Sequence, residues 1–385
     1  MVARDHLHLV AQRHRVHHRV RRVVARRVVQ REHARVQVRH LPVGLLLDAR
    51  EDLVAARHGA LDARPHERGA PAAGAGGGHR GRKRAREAPQ PEPAKGLKQM
   101  MDQVNMSRLS HGVRAAAMMR RCLNEALAVA RNREAFGEII IEKPLLRRQL
   151  MKIMVPTEQA LSMAMYTGQQ LELAETGDEH AIEQLRILTP LLKFRTCRDN
   201  IQVATGAMEI RGGNGYIEDW VNSRLVRDAH LGVLWEGTSN INALDVTTRA
   251  IAKVGAHKAL GETLQDLAAD TPDIPGQFRG TLQSTAERAL AVAEEIATSG
   301  NETLARKASD ALYHITSATL LAREGAKLGA QGEDARRLIL ARMVIDHRLR
   351  PQDPLAIPQD EDPMAVALLA QRKVSLDEAQ ELVAG

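Results

Sequence analysis

Aromatic side chains make up only 2% of this 385-residue sequence. That scarcity excludes a core of stacked rings and points to aliphatic, Met-rich packing, which suits helix against helix. There are two cysteines, Cys122 and Cys197, 75 positions apart, with no C-x-x-C pair and no metal-ligand spacing. Such sparse thiols exclude a disulfide framework and a zinc site, and predict two reduced side chains in a cytoplasmic protein. No stretch of 18 apolar residues occurs, which excludes a membrane-spanning helix. The N-terminus also lacks the apolar h-region of a secretory signal.

The net charge of +8 is unevenly spread. Residues 1–95 hold 21 Lys and Arg against 9 Asp and Glu, whereas the remaining 290 hold 34 against 38. The first 95 residues also lack Ser, Thr, Asn, Ile, Phe, Tyr, Trp and Cys, yet contain 10 of the 16 histidines. A folded domain of that length rarely omits so many residue types. The run V-R-R-V-V-A-R-R-V-V has neither a strand period nor a helix period. From Ala70 to Pro93 the composition is rich in Gly, Ala, Pro and Arg and reads as irregular or disordered. Three origins compete: a basic arm for nucleic acid, a His-rich metal tract, and GC-rich DNA translated outside its proper frame. The abrupt change of character near Lys95 favours the third. The domain reading is therefore a low-complexity basic segment over 1–95, a helical bundle over 96–254 and a helical extension over 255–385.

From residue 96 onward apolar residues recur at helical spacing. Val104, Leu109, Val113, Leu123 and Leu127 predict a helix over about 97–131, with Gly137 as its stop. Pro144 opens a second helix at its first turn, which runs to about Glu175 through a kink at Pro156. Its methionines read as core filler. Asp178 caps a third, over about 179–210, and a fourth covers about 239–254. The fold class is all-α, an up-and-down four-helix bundle followed by an extension of helices over about 256–269, 275–298, 302–328 and 332–350. Pro351 ends the last of these, and a short amphipathic tail follows.

The chemistry concentrates in I-R-G-G-N-G-Y-I-E-D-W-V-N-S-R-L-V-R-D-A-H-L-G-V-L-W-E-G-T-S-N-I, from Ile210 to Ile241. A glycine-rich turn leads through an amphipathic segment to a second turn that presents Glu236 between Trp235 and Gly237. An acid held against an indole is partly desolvated, which suits it to take a proton. Gly237 lets the backbone approach a ligand closely, and Thr238 is placed to cap the next helix. Taken alone, W-E-G-T-S also reads as an ordinary helix start with a solvated acid.

The whole stretch resembles the acyl-CoA dehydrogenase family. Gly212, Gly213, Gly215, Tyr216, Asp219, Arg224 and Asp228 fall in register with that family's Q-x-x-G-G-x-G-aromatic motif and the charged residues after it. W-E-G-T-S stands where the family has Y-E-G-T-S, so the resemblance makes Glu236 the catalytic base. Glu209 departs from the pattern, because the family has Gln there, contacting the nucleotide half of the flavin. R-E-A-F-G resembles R-x-x-F-G, which implies that Arg133 and Phe136 touch the flavin dinucleotide of a neighbouring subunit. Gly212, Gly213 and Thr238 join the implied cofactor-binding set. Arg108 stands 25 positions before Arg133, the spacing of the family's acyl-CoA-contacting Arg.

The resemblance implies FAD as cofactor, an acyl-CoA substrate, an electron-transfer flavoprotein as acceptor and a homodimer or homotetramer. The implied reaction is α,β-dehydrogenation of the thioester. Only residues 96–250 or so carry the resemblance, and they match the last of the family's three core domains. The flavin ring belongs to a middle domain that the sequence does not show, so impaired activity is expected. Two alternatives stand beside this reading. One is a DNA-binding flavoprotein of the alkylation-response type, which E-x-R-G-G-N-G-Y and W-E-G-x-x-N also resemble. The extension from residue 251 has no Lys/Arg stripe, so nucleic acid is not expected. The other is a non-catalytic helical oligomerisation module.

Overall fold

The computed structural model describes residues 93–353, 355 and 361–384. The basic segment before residue 93, with its irregular or out-of-frame reading, lies outside the described residues. Contacts place the described residues up to Asp102 and those from Gln103 onward in two different units. Of the smaller unit only Pro93–Asp102 is described, as the opening of the first helix.

Helix α1 spans Pro93–Asn132. Its end differs from expectation, because Gly137 turns a hairpin and does not stop the helix. The strands β1 (Glu134–Ala135) and β2 (Glu138–Ile139) pair antiparallel around Phe136 and Gly137. Both turn residues have left-handed φ, 56° and 82°, which matches the twist that a two-residue hairpin turn requires. Helix α2 (Pro144–Glu175) has Pro144 in its first turn, and α3 (Glu179–Arg211) is capped by Asp178, whose carboxylate accepts from the Ala181 N–H at 2.9 Å. The three-residue connection sets α2 and α3 side by side and antiparallel. Pro156 sits within α2 without ending it.

A helix α4 (Asn222–Gly232) occupies the amphipathic segment. Helix α5 (Ser239–Leu244) is shorter than the fourth helix expected and continues over Asp245–Ile251 with wider, i+5 hydrogen bonding. Threonines explain the change. Thr248 Oγ1 donates to the Leu244 carbonyl at 2.7 Å, competing with the main-chain donor that would close a regular turn. The extension follows as α6 (His257–Ala269), α7 (Gly276–Ser299), α8 (Ala305–Ala330), α9 (Arg336–Val344, widened over Ile345–Leu349), α10 (Pro363–Leu369) and α11 (Leu376–Ala384).

The core is aliphatic, with Met119, Leu123, Leu150, Met163, Ile187, Leu188 and Leu191 fully buried. Each such side chain contributes about 1.5–3 kcal/mol. Cys122 and Cys197 are buried and unpaired, and burial pushes the Cys122 thiol up to about 12. The extension docks through polar as well as apolar contacts. Arg337 of α9 donates to Glu158 of α2 at 2.9 Å and to Glu324 of α8 at 2.7 Å, and Arg120 of α1 also pairs with Glu158. Gly325 permits the close approach of α8 to α9, since a Cβ there would lie 2.1 Å from the Leu338 nitrogen. Among the described residues no helix is long and apolar enough to cross a membrane.

His314 of α8 is buried beside Gln159, whose Nε2 lies 3.0 Å from its Nδ1. Burial, then the nearby Arg195 and Arg348, hold its pKa well below the usual 6.5. The unfolded chain therefore takes up this proton first as pH falls below about 6.5, so native stability drops with pH. Each such group costs up to about 1.4 kcal/mol per pH unit. Denaturation curves between pH 7 and pH 5 should show the loss, and His314→Gln should flatten it.

Candidate active site

The turn between α4 and α5 folds as it does because two neighbouring residues adopt left-handed backbone, Glu236 at φ 54° and Gly237 at φ 90°. For glycine this costs little, but for glutamate it stores on the order of 1–3 kcal/mol and persists only when the surroundings enforce it. Here two buried cations do so. Lys193 of α3 is 1% exposed, and its Nζ donates to the carbonyls of Gly232 at 2.7 Å and Gly237 at 3.0 Å. Arg108 of α1 is 4% exposed and donates through Nε to the Glu236 carbonyl at 3.1 Å. Three carbonyls of the turn are thus clamped from the bundle interior.

The clamp is itself anchored. Arg108 Nη1 lies 2.7 Å from Asp245 Oδ2, and Arg186 reaches the other oxygen of Asp245 at 2.8 Å. Among the described residues Lys193 Nζ bonds only carbonyl oxygens, and its desolvation lowers its pKa below the ordinary lysine value. The Glu236 carboxylate is half-buried and accepts from the Ser107 hydroxyl at 3.0 Å. Trp235, expected against the acid, packs its ring on buried His111 of α1, with centroids 5.7 Å apart. Burial and the nearby Arg114 and Lys193 push the His111 pKa down. Thr238 stands at the N-cap of α5, but its side chain makes no capping bond. The amide of Asn242 closes that turn instead, donating to the carbonyls of Gly237 and Thr238 at 2.9 Å each.

The other singled-out residues gather elsewhere, on the surface around the end of α3. Arg133 Nη1 donates to the Arg211 carbonyl at 3.1 Å and lies 3.3 Å from where a Cβ on Gly212 would sit. Gly213 opens onto free space. Glu209 is exposed and accepts from Gln149 Nε2 at 2.8 Å. Phe136, at the hairpin tip, is 94% exposed. The expected residues therefore form two groups, Arg108 with Glu236 and Thr238 in one, and Arg133, Phe136, Glu209, Gly212 and Gly213 in the other. Sequence reasoning missed Ser107, His111, Lys193, Asn242 and Asp245. One signal was available, a lone Lys in the apolar run L-T-P-L-L-K-F.

Residues 94–251 match the model of the acyl-CoA dehydrogenase C-terminal domain. The AidB protein of Escherichia coli is 30% identical over 177 residues, covering 45% of this chain and 32% of its own length. The crystal structure of ACDH-11 from Caenorhabditis elegans in complex with C11-CoA superposes with a TM-score of 0.62 at 24% identity, over 68% of this chain and 46% of that one. An acyl-CoA dehydrogenase from Bacillus anthracis complexed with FAD gives 0.55 at 17% identity, over 75% of this chain and 56% of that one. The two structures share the fold. The chain spans about a third of AidB and about half of the two crystal chains.

Proposed function

We propose that Glu236 is the base of a flavin-dependent α,β-dehydrogenation of an acyl-CoA thioester. The observation that carries this reading is the enforced left-handed turn, in which two buried cations hold the backbone while the carboxylate stays accessible on one side. A loop acid without function needs no such clamp. Glu236 takes the proton from the carbon next to the thioester carbonyl, and Ser107 orients the carboxylate until substrate arrives. FAD, the cofactor of this family, supplies when bound the acceptor for the hydrogen that leaves the neighbouring carbon. Arg133, with free N–H donors beside the bare backbone of Gly212 and Gly213, fits the dinucleotide's phosphates.

The two groups of residues imply an oligomer. Arg108 and Arg133 lie on or just beyond one helix, 25 residues apart, and therefore about 37 Å apart. That exceeds what one dinucleotide spans, so the hairpin of one chain serves the Glu236 turn of another, in a homodimer or homotetramer. Phe136 is then a contact between copies. Phe136→Asp should shift the chain toward monomer in light scattering while leaving its helical circular dichroism unchanged, because the ring is 94% exposed in the single chain.

An electron-transfer flavoprotein is the partner that reoxidises the flavin. Mass spectrometry of acyl-CoAs incubated with the chain, FAD and a dye acceptor tests the reading. The expected product is two hydrogens lighter than its substrate. A hydrolysed thioester, or no product over a range of chain lengths, would refute it.

A further inference from the structure

Helix α1 meets the Glu236 turn with three side chains. Ser107 donates to the Glu236 carboxylate and Arg108 to its carbonyl. His111 follows them by four and three residues, which places it on the same face of the helix. Its ring lies against the Trp235 indole, with centroids 5.7 Å apart and planes tilted by 53°. Trp235 directly precedes Glu236. The backbone clamp grips the carbonyls of Gly232, Glu236 and Gly237, so Val233, Leu234 and Trp235 lie between its grips.

The platform under the indole is firm. Gly112 brings α1 so close to α3 that a Cβ there would lie 2.5 Å from Leu192 Cγ. The His111 carbonyl accepts from the Cys197 thiol at 3.8 Å, and a Cβ on Gly232, where α4 ends, would lie 3.1 Å from that sulfur. His111 is 5% exposed and Trp235 41%, so the indole rests on the imidazole at one side and meets solvent at the other. The charged groups that face His111 are Arg114 on its own helix, Lys193 on α3 and Glu236 on the turn. From α4 the Asp228 carbonyl engages Arg114 at 3.2 Å. Burial and the two cations outweigh the carboxylate and keep the imidazole neutral at pH 7.

We propose that His111 is a positioning residue for the Glu236 turn, its imidazole backing the Trp235 ring and thereby fixing the carboxylate one residue on. The inference rests on Glu236 as the base and adds the support that its neighbouring side chain receives. A base gains rate by being held at its target, and a glutamate at φ 54° relaxes where a support is withdrawn. Packing alone is better served by an aliphatic side chain, which carries no desolvation cost.

The test uses the full chain carrying Trp220→Phe, so that Trp235 is its sole indole, with circular dichroism to verify folding of each variant and at each pH. Acidification should quench the emission with a midpoint below 6.5, as imidazolium forms against the indole, and His111→Phe should abolish that titration. His111→Ala should shift the emission to the red, as the unsupported ring turns into water, and His111→Phe should restore it. In dehydrogenation assays with FAD and a dye acceptor, His111→Ala and Trp235→Ala should each lower kcat about tenfold with KM little changed. The double variant should lose no more than either single one. Should His111→Ala fail to fold, Trp235→Ala and the pH titration carry the test. An inactive wild-type chain would remove the base assignment, and the emission arms would then judge the support of the turn by themselves. Emission that ignores both pH and His111→Ala, or additive losses in the double variant, would overturn the proposal.

Discussion

Glu236→Gln should slow acyl-CoA dehydrogenation by about 10³-fold, roughly 4 kcal/mol of barrier, while leaving the fold unchanged. The substitution keeps the side-chain length and an oxygen able to accept from Ser107, as the carboxylate does at 3.0 Å. It also leaves the backbone clamp intact, because Arg108 and Lys193 grip carbonyls and not the carboxylate. Only the capacity to take a proton is removed. Substrate binding should therefore change little, and the loss should fall on kcat. A variant that loses both turnover and helical signal would mean the carboxylate is structural, and equal turnover would mean the base is elsewhere.

The second large effect concerns stability. Arg337→Ala should lower it by about 3 kcal/mol, or roughly 5 °C in melting temperature. Arg337 is nearly buried where α9 meets the bundle and answers both Glu158 and Glu324. Removing it leaves two carboxylates facing each other in a poorly solvated seam, with Arg120 alone to compensate Glu158. The contrast is Arg372→Ala. That residue pairs with Glu378 on the surface, with its side chain 61% exposed, and solvent screening leaves such a pair with little effect on stability. Equal melting temperatures for the two variants would show that the extension docks through apolar contacts alone.

Much of the scaffold was legible in the chain because its signals are local. Pro144 at a first turn, Asp178 as a cap and the aliphatic period of α1 to α3 each act within a few residues. What escaped depends on partners distant in sequence or on competition for a carbonyl. Gly137 is a helix stop by its neighbours, yet Phe136 and Gly137 together turn a hairpin. Thr238 is a cap by its position, but Asn242 reaches the carbonyls of that turn first. The Glu236 turn shows the same division. Glu236 was readable from W-E-G-T-S, whereas the residues that hold it, Lys193 43 positions before it and Arg108 128 before it, have no local mark of that role. The resemblance placed Arg108 at the substrate, and the structure gives its guanidinium to Asp245 and to the turn.

The measurement that tests the account most directly is the visible spectrum of the chain loaded with FAD and mixed anaerobically with an acyl-CoA. The flavin absorbance should bleach in the wild-type chain and persist in Glu236→Gln. Flavin that is never retained, or that bleaches equally in both chains, would contradict it.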